Sequence, residues 1–153
     1  MEKKRKKYWL AGAVLAVAGV SLMSYTASRY TSFKRVVART IRLEDIAALE
    51  ITRLSSVPGE QKDVVLTEPE AIKRIYDDFS GVRLMKSARN VNTDNKYSYY
   101  MTIVQADRKQ RFDIILKGEH HMIIYDNDMN NPHLVAYKII NEFSPLALQQ
   151  AFD

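Results

Sequence analysis

His120 and His121 are the side chains best suited by type to hold a metal ion, and His133 is the one other histidine. Adjacent residues of a strand point to opposite faces, so the pair cannot readily share one ion, and no metal site is expected. Asp126-x-Asp128-x-Asn130 has the oxygen spacing that opens a calcium loop. The sixth position of such a loop should be Gly and is Asn131, and the twelfth should be Glu and is Tyr137. Asp and Asn are also the ordinary residues of a hairpin turn, which is the reading adopted. Tyr97, Tyr99 and Tyr100 are the candidate ligand-binding residues, able to stack on a sugar or a peptide. Strand alternation puts Tyr97 and Tyr99 on one face and Tyr100 on the other, and packing competes with binding for all three.

Nucleophilic and phosphate chemistry find no support. The chain has no G-x-S-x-G, no H-E-x-x-H and no Gly-rich loop among its five glycines. With no cysteine there is no thiolate nucleophile, disulfide or lipid-bearing thiol. Asp77-Asp78 and Glu44-Asp45 read as solvated carboxylates. No enzyme activity and no cofactor are expected.

Charge locates the protein better than it explains it. Residues 1–42 carry ten basic side chains against Glu2 alone, while residues 43–153 carry thirteen basic against seventeen acidic. A nucleic-acid footprint needs its Lys and Arg on the folded body, so nucleic acid is not an expected partner. The basic excess belongs to the N-terminal arm. There, residues 1–7 form a basic tail and residues 8–25 run eighteen positions without a charge. As a helix they span roughly 27 Å, close to the hydrocarbon core of a bilayer. Tyr8 and Trp9 at one end and Tyr25 at the other are placed as interfacial anchors. The bilayer is thus an expected partner, through a retained single-pass anchor. A cleaved signal peptide, leaving a secreted domain, is the alternative, but neither Ser24-Tyr25-Thr26 nor Thr26-Ala27-Ser28 is a good cleavage site. Five contiguous basic residues abut the apolar run on one side, against five spread over residues 29–42. This favours the N-terminus inside and the C-terminal domain outside the cell membrane.

Residues 26–43 read as a basic juxtamembrane linker. Tyr30, Phe33, Val37 and Ile41 also fall near helical spacing, which leaves open a basic amphipathic helix lying on anionic headgroups.

The elements that would carry these residues follow from periodicity. Strands are expected near residues 47–54 and 63–66. Thr67-Glu68-Pro69-Glu70 reads as a capping box with Thr67 as N-cap, and Ile72, Ile75, Tyr76 and Phe79 form one apolar stripe behind it. Gly81 is expected to end that helix in the left-handed conformation. Further strands are expected over 82–87, 97–106, 112–116, 120–125 and 133–139, then a short helix after Ser144-Pro145. Short polar connections favour an antiparallel meander. The fold expected for residues 44–153 is α+β, a mainly antiparallel sheet with one helix on a face and a short C-terminal helix, behind an N-terminal transmembrane helix.

The junction VxLTEPEAI, followed by YSYYMTIVQ, RFDIIL and a terminal YKI…F segment, resembles the small extracytoplasmic domains of Firmicutes lipoproteins and membrane-anchored proteins. The resemblance spans residues 44–153. It implies an extracytoplasmic location and this architecture, and transfers no functional residue. Where that family has a lipobox cysteine, this chain has a plain apolar anchor. The expected role is an interaction or scaffolding module for another membrane or envelope protein. A ligand-binding or sensory domain using the aromatic sheet face is the alternative.

Overall fold

The computed structural model describes residues 16–18, 20–21, 23–57, 59–87, 97–107, 111–128 and 130–153. The chain divides into two units, Met1–Tyr30 and Thr31–Asp153. In the first, the described residues up to 29 are helical, and Val17, Val20, Met23 and Tyr25 are exposed. The hydroxyls of Ser21, Thr26 and Ser28 donate to the carbonyls of Val17, Met23 and Tyr25 within the same helix. Tyr8, Trp9 and several further residues of the expected anchor lie outside the described residues. Among the described residues, no helix is long and apolar enough to cross a membrane.

The second unit is an α+β domain built on an eight-stranded sheet. In chain order the elements are β1 (Tyr30–Ser32), a π-helical turn (Lys34–Ala38), a 3-10 turn (Leu43–Asp45), β2 (Ile46–Ser55), β3 (Gln61–Leu66), α1 (Pro69–Ser80), β4 (Arg83–Lys86), β5 (Tyr97–Gln105), β6 (Arg111–Lys117), β7 (His121–Asp126), β8 (His133–Ile139) and α2 (Leu146–Gln150). The strand order is β1-β4-β8-β7-β6-β5-β2-β3, and every pairing from β4 to β3 is antiparallel. Strands β5 to β8 form the meander. Glycines with positive φ close two of the tight turns, Gly59 between β2 and β3 and Gly118 between β6 and β7.

One face of the sheet is the core. Leu49 and Ile51, Met101 and Ile103, Phe112 and Ile114, and Met122 and Ile124 alternate inward along their strands and are buried. Helix α1 lays Ile72, Ile75 and Phe79 among them. The basic stretch before residue 44 is not a linker throughout. Phe33, Val37 and Ile41 are at most 1% exposed, and Phe33 packs on Phe79 with ring centroids 5.3 Å apart. Tyr76 adds a second tie by donating its hydroxyl to the Ile41 carbonyl. The compact unit therefore begins at Thr31, and the apolar stripe of this segment faces protein rather than lipid headgroups.

Two local expectations shift. The N-cap of α1 is Glu68, not Thr67, and no side-chain cap bond is made. Pro69 is the reason: it occupies the first helical position, where no N–H is needed, and it holds Glu68 extended. Gly81 is right-handed, with φ −79° and ψ −7°. The chain leaves the helix because Asn141 holds the exit. Its amide donates to the Gly81 carbonyl, and its side-chain oxygen accepts from the Arg83 N–H. A Cβ on Gly81 would meet nothing within 4 Å. Gly81→Ala should accordingly raise unfolding free energy by about 0.4–1 kcal/mol, measured by urea titration, whereas a left-handed Gly81 would give a loss.

Asp78 is not merely solvated. Its carboxylate accepts from the Ala147 N–H, capping the first turn of α2 from α1.

Candidate functional site

The three tyrosines stand on β5 and do not form one platform. Tyr99 is 4% exposed on the core face, Tyr97 is half-buried beside it near the end of the sheet, and Tyr100 is 40% exposed on the opposite face. They therefore belong to two separate candidate sites.

Tyr97 and Tyr99 line a cleft of about 280 Å³ with the Gly118–His120 turn, Pro145 and Gln149. Arg53 of β2 pairs in register with Tyr99. Its guanidinium lies 5.1 Å from the centroid of the Tyr97 ring and 4.8 Å from that of Phe152, a cation held against two π faces. Burial pushes the Tyr99 hydroxyl above its ordinary pKa, and the neighbouring Arg53 partly opposes the rise. Tyr99 thus stays protonated at neutral pH and supplies no base. The cleft offers two tyrosine rings for stacking a flat group, with Glu119 and His120 at its rim. Arg53 escaped the sequence reading although its position carries a signal: it follows Leu49 and Ile51 in the inward phase of β2.

Tyr100 belongs to the other face of the sheet. Across β2 and β5 to β8, none of the described side chains on that face is buried. Registered pairs form three rows across the strands. The central row holds Tyr100, Ile115, Ile123 and Ala136, next to Thr52. On one side lie Lys117, His121 and Lys138; on the other lie Glu50, Thr102, Asp113, Tyr125 and Leu134. The Thr102 hydroxyl donates to Asp113 at 2.6 Å. Leu134 and Val65 are each more than half exposed here. In the middle of β6 and β7 the apolar run is continuous, Ile115 between Ile114 and Leu116 and Ile123 between Met122 and Ile124, although Asp113, Lys117 and His121 share the outer face with the two isoleucines. Such runs are typical of strands covered on both sides.

His121 sits between Lys117 and Lys138, and its Nδ1 is buried without a hydrogen-bond partner among the described residues. Burial lowers its pKa below the ordinary 6.5, and the charges of His120, Lys138 and Lys117 lower it further. The unfolded chain thus binds the proton more readily than the folded one. The stability contributed by neutral His121 is complete above pH 6.5 and falls as the pH drops through the folded value. Melting temperature should therefore decline between about pH 7 and 5 more steeply in the parent than in His121→Asn.

Among the described residues, no three His, Asp or Glu side chains converge to hold a metal ion. His120 is exposed in the β6–β7 turn, whereas His121 is half-buried on the uncovered face. The oxygens of the Asp126 loop serve its own backbone, with Asp126 accepting from the Asp128 N–H and Asp128 from the Asn130 N–H. Comparison with known proteins finds no matching family model, curated protein or solved structure.

Proposed function

We propose that this chain is a membrane-tethered interaction module, with its N-terminus inside and residues 31–153 presented outside the cell, which docks another protein through the uncovered face of its sheet. The observation that carries this reading is the central row of the outer face, where Tyr100, Ile115, Ile123 and Ala136 stand side by side between two rows of charged and polar residues. An apolar strip rimmed by polar residues on a sheet face suits docking. The tether is supported by the apolar, charge-free run 8–25 and by hydroxyls satisfied within their own helix. The lack of a catalytic constellation in the sequence agrees with a binding role.

Photo-crosslinking in intact cells tests the docking. A photoreactive residue at Ile123, on the uncovered face, should give a discrete adduct. The same group at Lys73, on the exposed side of α1, should not. Equal yields at both positions would dismiss the face as a docking surface.

A second reading, ligand binding, rests on the cleft lined by Tyr97, Tyr99, Glu119 and His120. It suits a planar small molecule that stacks on the tyrosine rings.

A further inference from the structure

We infer that the uncovered sheet face pairs with the same face of a second copy of this chain, about a two-fold axis that crosses the strands at Ile115. This rests on the docking reading and names its occupant. The argument begins with β6, where Asp113, Ile115 and Lys117 share the face in that order. Rotation about an axis across the strands at Ile115 exchanges the two flanking rows. Lys117 of one copy then meets Asp113 of the other, twice over by symmetry. The same operation sets His121 against Tyr125 and Ser98 against Thr102, while the central row meets itself, Tyr100 on Tyr100 and Ile123 on Ile123.

The charges also reject the competing arrangement. An axis running along the strands would place the Lys117–His121–Lys138 row against its own image, cation on cation. Two sheets facing each other normally pack about 10 Å apart with their strands nearly aligned, which the crossing axis satisfies. The six adjacent strands from β4 to β2, spaced about 4.8 Å apart, with three to four rows of side chains, give a face of about 600 Å². Pairing would bury about 1,200 Å² in total, the lower edge of stable protein interfaces. A reversible dimer is the expected strength.

Charge exchange in the full-length chain tests this. The parent should sediment as a reversible dimer. Lys117→Asp alone and Asp113→Lys alone should each dissociate at least about tenfold more readily, because each sets like charges together. An equimolar mixture of the two should recover dimers within about threefold of the parent, since every contact is again of opposite sign. That recovery cannot arise from misfolded variants. Three outcomes overturn the inference: a monomeric parent, a dimer unaffected by either change, or a mixture as weak as its components. A monomeric parent that still gives a discrete adduct to a different protein from Ile123 would leave the docking reading standing without self-pairing. A monomer with no adduct would remove both.

Discussion

Truncating Phe79 to Ala should lower the unfolding free energy by about 3–5 kcal/mol, measured by denaturant titration of residues 31–153. Phe79 is 1% exposed and is gripped from both sides, by Phe33 and by Phe143, each with ring centroids 5.3 Å from its own. The loss combines the transfer term of a buried ring with the cavity left between Phe33 and Phe143. A domain of this size is stable by about 5–15 kcal/mol, so the change consumes a large share of the margin. Asp77→Ala is the internal control. Asp77 lies on the exposed side of α1, paired with Lys73, and exposed pairs of this kind contribute about 0.5 kcal/mol or less. Similar small effects from both substitutions would mean that α1 does not pack through this stripe.

The second large effect concerns where the domain begins. A fragment starting at residue 44 lacks Phe33, Val37 and Ile41, three of the most buried side chains in the chain. Each large apolar core side chain removed costs about 2–5 kcal/mol, so losing three approaches the whole stability of the domain. It also removes β1 from the edge of the sheet. Circular dichroism should show residues 31–153 melting in one cooperative step and residues 44–153 failing to do so. A cooperative transition in the shorter fragment, within a few degrees of the longer one, would show that the 31–43 segment only rests on the surface.

That segment also shows where the sequence was hard to read. Lys34, Arg35, Arg39 and Arg42 follow an apolar run, and the charge pattern imitates a juxtamembrane linker. The π-helical turn winds Phe33 and Val37 inward while the cations point outward. The helical spacing of Phe33, Val37 and Ile41 marks an apolar stripe, but whether that stripe meets lipid or protein is a tertiary fact, set by the room beside Phe79. The strands were legible because period-two alternation is local: Tyr97–Gln105 matches the expectation to within one residue. Helix α1 was legible through its stripe, and its cap slipped by one because Pro69 outranks Thr67 in setting the boundary. The tyrosines were assigned to the correct faces of β5, but Arg53 was invisible as their neighbour, because register between β2 and β5 spans about fifty residues. The continuous apolar runs of β6 and β7 were present in the sequence. Their significance needed the knowledge that α1 and α2 both pack on the core face.

The most direct measurement compares two neighbouring residues of β7. Ile124 is 2% exposed on the core face, and Ile123 is half-buried on the uncovered one. Ile124→Asp places a charge in the core and should unfold the domain, a cost above about 4 kcal/mol. Ile123→Asp should cost at most about 1 kcal/mol in the fold while abolishing association through the uncovered face, read as loss of the dimer and of adducts formed from a photoreactive group at Ile115. Thermal melts and sedimentation of the two variants, side by side, give the answer. Association that survives Ile123→Asp in a folded chain would contradict a docking role for this face.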